Sequence, residues 1–136
     1  MTDCIFCKIA NNEIPSKKIW ESNNLFCILD IEPVSKGHCL IITKKHFETL
    51  TDVPDEILSQ ILVEVKKTMN LLKEKLNVNN FNILQNNGKL AGQEVNHFHT
   101  HIIPIFKDDN AHIICGKSTS KESQNIEEIY EKIIKN

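Results

Sequence analysis

The chain has 136 residues, of which 40% are apolar and 25% are charged, and its formal net charge is -2. This length and composition predict a single globular domain over residues 1–136 with enough apolar residues for a core. The nearly balanced charge, with no block of basic residues, argues against an electrostatic nucleic-acid binder.

The start of the sequence lacks a basic segment followed by an apolar run. No apolar stretch approaches the roughly 20 residues that a membrane span needs. Five cysteines are scattered along the chain, and this odd number favours a reducing compartment over a disulfide framework. We therefore expect a cytoplasmic protein that has no membrane partner.

The first predicted elements are a β-hairpin and a third strand. Two apolar runs, Ile19-Trp20 and residues 25–29, are separated by the polar residues 21–24, as is typical of a hairpin turn. A turn over residues 33–37 then precedes the third predicted strand, which covers residues 39–43.

One long amphipathic helix is predicted next. Asp52-Val53-Pro54-Asp55 supplies a candidate N-cap and a proline in the first turn. Apolar residues then recur at helical spacing and carry the helix to about Leu76. These residues are Ile57, Leu58, Ile61, Leu62, Val65, Met69 and Leu72.

Two more strands and a second helix complete the predicted elements. Residues 81–84 and 97–105 have the apolar content of strands, and Asn86-Asn87-Gly88 is the loop that ends the first of them. A helical stripe follows near the C-terminus, formed by Ile126, Ile129, Tyr130, Ile133 and Ile134. Strands interrupted by one long helix predict an antiparallel α+β domain.

The segment N-H-F-H-T-H-I-I-P at residues 96–104 holds His97, His99 and His101 at every second position. In an extended strand the three rings share one face. The outer two would stand about 13 Å apart, which is too far for all three to bind one zinc at about 2 Å. One imidazole could instead attack as a nucleophile while another donates a proton. From spacing alone, phosphate chemistry and a metal held by two of the rings both stay open.

The preceding segment, residues 86–95, is rich in glycine and in amide side chains. Glycines let the backbone approach a ligand, and exposed N–H groups and amides can hold phosphate oxygens. An ordinary hairpin loop is the alternative, because Asn-Gly is common in such turns. The position of residues 86–95 directly before the histidines indicates an anion site that faces the three rings.

These residues resemble the histidine triad (HIT) family, whose signature alternates three histidines with hydrophobic residues, as H-F-H-T-H-I-I does at residues 97–103. Other segments are similar to the Hint branch of nucleoside phosphoramidate hydrolases. They are C-I-F-C-K-I at 4–9, E-I-P-S-K-K at 13–18, L-D-I-E-P-V-S-K-G-H at 29–38, T-K-K-H at 43–46 and N-N-G-K-L-A-G-Q-E-V at 86–95. The resemblance covers residues 4–105, and residues 106–136 are a C-terminal extension with a helix.

The resemblance implies a five-stranded antiparallel sheet with one long helix and a C-terminal helix, paired into a homodimer whose sheets join. It implies attack on the α-phosphorus of a purine nucleotide by His99, with His101 near the leaving group and His97 as an orienting residue. The remaining substrate-binding residues it implies are Asp30 on the ribose, Phe6, Ile9, Ile28 and Ile31 around the base, and Asn86, Gly92, Gln93, Glu94 and Val95 in the phosphate-side loop.

Elementary chemistry is compatible with these implied roles. One carboxylate can accept from both hydroxyls of a ribose, and apolar walls suit the faces of a purine. From the sequence alone, Asp30 is better explained as a turn residue, and Phe6, Ile9 and Ile28 as ordinary core. Glu94 stands where the eukaryotic Hint pattern carries a serine, and its carboxylate favours a cationic or amine leaving group.

Cys4 and Cys7 form a C-x-x-C pair with spacing that suits one metal. Together with His46 and His97 they could complete a tetrahedral zinc site, as in some members of the branch that the sequence resembles. Two buried, reduced cysteines beside an ordinary histidine are the alternative. We expect a structural zinc, with His97 as a ligand, and no redox cofactor.

The predicted function is hydrolysis of purine nucleoside 5′-phosphoramidates through a nucleotidyl-histidine intermediate, with AMP as a product. Three alternatives stay open from the sequence. They are a dinucleoside polyphosphate hydrolase of the same fold, a regulatory module that binds nucleotides without catalysis, and a zinc hydrolase in which His97 and His99 hold the metal.

Overall fold

A computed structural model describes residues 3–107, residue 109 and residues 125–135. Its helices are α1 (Ile5–Ala10), α2 (Asp55–Leu76) and α3 (Ile126–Ile134), and its strands are β1 (Lys18–Glu21), β2 (Leu25–Leu29), β3 (Cys39–Thr43), β4 (Asn80–Leu84) and β5 (His99–Ile105). Short 3-10 turns lie at Leu50–Asp52 and Lys89–Ala91. All five predicted strands and both predicted helices are confirmed. The predicted C-terminal extension lies partly outside the described residues.

The strands form one sheet in the order β1-β2-β3-β5-β4, and every neighbouring pair is antiparallel. The predicted five-stranded antiparallel α+β fold is therefore confirmed. β5 lies between β3 and β4, so it is hydrogen-bonded along both edges. A side chain on this strand has little freedom to change its place, which makes β5 a rigid support for a site.

Apolar side chains cover both faces of the sheet. On one face, α2 packs over Leu25, Ile41 and Ile102 among other buried residues. On the other face, α1 contributes Phe6 and Ile9 to a smaller cluster that also contains Phe26, Ile28, Leu40 and Ile42. β5 and the residue before it alternate between the two faces. Phe98 and Ile102 face the α2 side, whereas His99 and His101 pair with Ile42 and Leu40 on the α1 side.

The strand that carries the histidines begins at His99, two residues later than predicted. The chain bends at His97, where its N–H donates to the Val95 carbonyl over 2.8 Å. His97 is therefore not part of the strand, although its ring stays on the α1 side, with 5.8 Å between its centroid and that of Phe6. Its ring lies against that of His46, with 5.0 Å between the ring centroids.

The long helix also differs in detail from its prediction. Pro54 occupies the N-cap, and Asp52 instead accepts from the Thr49 N–H in a capping box of the preceding 3-10 turn. Leu62, predicted on the buried stripe, is 72% exposed. Leu62 follows Ile61 directly, so it is rotated by about 100° around the helix axis from that buried residue. It therefore lies beyond the edge of the α2 face that packs on the sheet.

Gly37 sets the turn that leads into β3. Its φ is +87°, and a Cβ at this position would lie 2.5 Å from Leu76 Cδ1 at the end of α2. The backbone conformation therefore favours glycine, whereas the contact with the flexible end of Leu76 could be relieved by a small movement of that side chain. Over the described residues, none of the helices combines the length and hydropathy that a membrane crossing would require.

Candidate active site

His99 and His101 lie side by side on the α1 face of β5, with 5.1 Å between their ring centroids. His99 is 8% exposed, and His101 is partly buried. Their separation follows from the two-residue period of the strand. The two rings share a small, largely dehydrated space in which one could attack a substrate atom and the other could bind the group that leaves.

The hydrogen bonds of His99 fix its tautomer. Nδ1 lies 2.6 Å from the His97 carbonyl oxygen, which can only accept, so Nδ1 carries the hydrogen and donates it. The lone pair of the neutral ring is then on Nε2. Burial lowers the pKa of His99, partly opposed by the bond to His97 and by the charges of Asp30 and Glu94. The ring is therefore uncharged at neutral pH, as a nucleophile must be.

The tautomer of His101 is fixed by two consecutive hydrogen bonds, from Val34 to His38 and from His38 to His101. The Val34 N–H donates to Nδ1 of His38 over 3.0 Å, so the hydrogen of the His38 ring is on Nε2. That atom lies 2.9 Å from Nδ1 of His101 and donates to it. His101 thus carries its hydrogen on Nε2, the opposite tautomer to His99. The pKa of His101 is lowered to about 4, first by burial and then by the neighbouring His99 and His38 rings.

His38 is a site residue that the sequence analysis did not single out. It is 3% exposed, and Asp30 Oδ2 lies 3.5 Å from its Nε2. Burial lowers the pKa of His38, opposed by the Asp30 charge. The available signal was its position two residues before Leu40, which pairs with His101 across β3 and β5.

The predicted ribose and base residues are only partly brought together. Asp30 Oδ1 accepts from the Glu32 N–H over 2.9 Å, as a turn residue would, while Oδ2 faces His38. Phe6, Ile9 and Ile28 are 5–7% exposed in the α1-side cluster. Ile31 is 90% exposed and lies outside that cluster.

The loop before β5 is held by its own amide side chains. Gln93 is 5% exposed, accepts from the Gly88 N–H at 2.8 Å, and donates to the Glu48 and Val95 carbonyls at 2.7 and 3.1 Å. Asn86 donates to the Gly92 carbonyl over 3.3 Å. The side chain of Gln93 is thus occupied within the protein, whereas Asn86 keeps an acceptor free. A cavity of about 480 Å³ is lined by Lys89, Gly92, Gln93, Glu94 and Asn96.

The predicted metal ligands Cys4, Cys7, His46 and His97 converge, with all ligand atoms within 4.8 Å of one another. Nδ1 of His97 lies 3.3 Å from the Cys4 sulfur and 3.5 Å from the Cys7 sulfur. Nδ1 of His46 lies 3.4 Å from the Cys7 sulfur. Tetrahedral zinc with these donors places neighbouring ligand atoms about 3.4–3.8 Å apart. The residues therefore fit a zinc ion.

A hydrogen bond at Nε2 of His97 leaves its Nδ1 available as a metal ligand. Its Nε2 lies 2.6 Å from the Thr43 carbonyl oxygen and must donate to it, which leaves the lone pair on Nδ1 towards the two sulfurs. Burial lowers the pKa of His97 to about 4, so the ring stays neutral. His99 belongs to neither group of side chains that could hold a metal among the described residues. This arrangement disfavours a catalytic metal shared by His97 and His99.

Comparisons with known proteins agree with this architecture. The HIT domain family model matches residues 11–108. An uncharacterised HIT-like protein of Methanocaldococcus jannaschii is 47% identical over 114 residues, which cover 84% of this chain and 88% of that protein. The adenosine 5′-monophosphoramidase HNT1 of Saccharomyces cerevisiae is 44% identical over 113 residues, covering 83% and 68% respectively.

Solved structures show the same similarity. The crystal structure of a HIT family protein from Bacillus anthracis aligns with a TM-score of 0.84 at 38% identity, over 96% of this chain and 94% of that one. A zinc-bound histidine triad family protein from Mycobacterium smegmatis aligns with a TM-score of 0.77 at 29% identity, over 97% and 96%. In both comparisons the alignment extends over nearly the whole of each chain.

Proposed function

The chain belongs to the HIT domain family, and from that premise we propose that it hydrolyses purine nucleoside 5′-phosphoramidates and releases AMP from the adenosine compound. The observation that carries this proposal is the pair of opposite tautomers at His99 and His101. One ring offers a lone pair and the next offers an N–H donor, about 5.1 Å from it between centroids. Cleavage of a P–N bond needs both groups, because an amine leaves poorly unless it is protonated.

The reaction proceeds in two displacements at the α-phosphorus. Nε2 of His99 attacks phosphorus and the P–N bond breaks, while the departing nitrogen takes a proton from solvent and accepts a hydrogen bond from Nε2 of His101. Water then attacks the nucleotidyl-histidine and releases a proton to solvent, and the bond between phosphorus and His99 breaks. Nucleoside monophosphate and amine are the products, and both rings return to their starting state. His97 orients His99 through its carbonyl oxygen.

The substrate-binding roles form part of the same proposal. The carboxylate of Asp30 accepts from the ribose hydroxyls, and the base lies against the apolar side chains Phe6, Ile9, Ile28 and Ile31. The phosphate lies at the loop that contains Asn86, Gly92, Gln93, Glu94 and Val95. The amine occupies the adjacent cavity, where the exposed Glu94 carboxylate favours a positively charged leaving group.

Zinc completes the proposal as a structural ion, held by Cys4, Cys7, His46 and His97. When bound, it supplies cross-linking between the N-terminal segment and the start of β5, and no redox chemistry is needed for a hydrolysis.

We also propose a homodimer, since β4 is an edge strand with Ile83 41% exposed. Such an edge can pair with its copy and continue the sheet.

The test is to trap the intermediate. We expect a covalent nucleotide on His99 when the protein is mixed with an adenosine phosphoramidate, quenched and analysed by peptide mass spectrometry. The variant His99→Ala should show neither adduct nor turnover. Thr100→Val is the matched control, because Thr100 is equally buried on the same strand but faces away from the site. An adduct on another residue, or turnover in His99→Ala, contradicts the nucleophile.

Two comparisons separate the rival functions. A large preference for a dinucleoside tetraphosphate over the phosphoramidate would favour the polyphosphate hydrolase. Binding of AMP without turnover of either compound would favour a regulatory module. The two outcomes can be measured on one preparation by product chromatography and calorimetric titration.

A further inference from the structure

Phe6 lies between the two cysteines of the four-ligand cluster, which we define as Cys4, Cys7, His46 and His97. It is on α1, a helix of six residues without a side-chain cap at its N-terminus. Helices this short are not stable by themselves. The position of α1 therefore depends on what it contacts: the cluster through its cysteines, and the sheet through Phe6 and Ile9.

The ring of Phe6 contacts the proposed nucleophile directly. Its centroid lies 5.0 Å from that of His99 at an interplanar angle of 77°, and 5.8 Å from that of His97 at 83°. Both are edge-to-face contacts, a favourable geometry for aromatic pairs. Phe6 is 7% exposed and His99 is 8% exposed. The contact is thus shielded from water on both sides.

Two restraints act on the His99 ring. The bond from Nδ1 to the His97 carbonyl fixes one edge of the ring, but it leaves rotation about the line of that bond. The edge-to-face contact with Phe6 restricts this rotation and so determines where Nε2 points. Both restraints come from residues beside or within the four-ligand cluster.

We propose that Phe6 is a positioning residue for the His99 nucleophile, and that zinc bound at the four-ligand cluster holds Phe6 in that position. The role in catalysis rests on the proposed function, whereas the mechanical link from the cluster to the His99 ring does not. Without a metal, the cysteines reach the histidines only through thiol contacts of 3.3–3.5 Å, which are weak hydrogen bonds. Release of α1 then removes Phe6 from His99.

The first experiment changes Phe6 and leaves the metal ligands intact. In Phe6→Ala we expect the single-turnover rate at saturating substrate to fall about 10- to 100-fold, since small displacements of a reacting group have effects of that size. Phe6→Leu should restore most of the nucleotide affinity but only part of this rate. Phe81→Ala is the matched control, because Phe81 is partly buried against the α2-side core. Its rate should stay near that of the wild type.

Binding and rate measurements distinguish two roles for Phe6, namely contact with the base and positioning of the His99 ring. If Phe6 only contacts the base, Phe6→Ala weakens AMP binding while the rate at saturation is unchanged, and the proposal is overturned. Nitrogen NMR of the His99 ring provides a second readout. We expect the wild type to show one narrow set of ring signals and Phe6→Ala to show signals broadened by exchange between ring orientations, with the Nδ1–H tautomer retained.

The second experiment removes the metal and needs no substrate. Treating the zinc-loaded protein with a chelator should increase hydrogen exchange at the amides of residues 5–10 at least tenfold and change the His99 ring signals as Phe6→Ala does. Unchanged protection of α1 and unchanged ring signals after complete metal loss would overturn the link. If the metal-free chain unfolds, Phe6→Ala with its zinc retained decides the question through the same ring signals. Absence of turnover in the wild type would contradict the proposed function alone.

Discussion

Substitutions of His38 test most directly which ring nitrogen of His101 carries the hydrogen. Its side chain is 3% exposed, accepts from the Val34 N–H through Nδ1 and donates to His101 through Nε2. Asparagine and glutamine separate these two functions. In His38→Asn the amide oxygen can replace Nδ1 as the acceptor, but no donor reaches His101. In His38→Gln the amide nitrogen takes the place of Nε2 and keeps the donor.

The expected effect on rate follows from the strength of one hydrogen bond. A net contribution of about 0.5–1.5 kcal/mol selects the productive tautomer of His101. Without it the other tautomer competes, and kcat should fall about 2- to 13-fold, since 1.36 kcal/mol is tenfold. His38→Gln should stay within about twofold of the wild type. Removing the His101 donor altogether would cost far more, about 10²- to 10⁴-fold.

The assay is amine release from an adenosine phosphoramidate at saturation and pH 7. Thermal unfolding is measured in parallel. In His38→Asn the buried Nδ1 of His101 loses its partner, which costs about 1–3 kcal/mol of unfolding free energy. Equal rates for the two variants would refute the tautomer argument. A loss beyond 10²-fold in His38→Asn would show instead that His38 contacts the substrate itself.

Three further predictions concern other parts of the molecule. His101→Ala should lower kcat by about 10²- to 10⁴-fold for an alkylamine leaving group and much less for a phenolate, which needs no proton; rates on the two substrates check this. Burial keeps the pKa of His101 at about 4 in the folded protein, against its ordinary value of 6.5. The unfolded chain therefore binds the extra proton as pH falls from 6.5 towards 4, and the urea midpoint should decrease over that window, with a smaller decrease in His101→Phe. Gly37→Ala places an alanine at φ +87°, while the end of the Leu76 side chain, 2.5 Å from the new Cβ, can move aside, so we expect a loss of about 1–3 kcal/mol. Gly88→Ala, with φ +96° and open space around it, should lose about 1–3 kcal/mol in the same denaturation experiment.

The sheet could be predicted because its signals are local. Runs such as Leu25–Leu29 and Cys39–Thr43 are apolar, short and bounded by turn residues, so the strand limits were recovered almost to the residue. The buried face of α2 followed from its helical period in the same way, apart from Leu62. Two other features were missed because they depend on tertiary contacts. α1 is too short for a periodic pattern, and His38 meets His101 across 63 positions of sequence.

The candidate site was predicted through family resemblance more than through spacing. Spacing placed the three histidines on one face, and the rings do share the α1 side, but the chain bends at His97, whose Nε2 donates to the Thr43 carbonyl and whose Nδ1 faces the cysteines. No sequence pattern fixes that bend. For the same reason the distinct tautomers of His99 and His101 could be assigned only once their backbone and side-chain partners were known.

The two-residue period of β5 has a consequence for how this gene can change. Deleting or inserting one codon ahead of the strand would exchange its two sides. Thr100 and Ile102 would then face the α1 side, where the site lies, while both imidazoles would be forced among the aliphatic groups beneath α2. Length variation among descendants should therefore be concentrated in the outer loops and be absent from the few positions between the bend at His97 and the end of the strand.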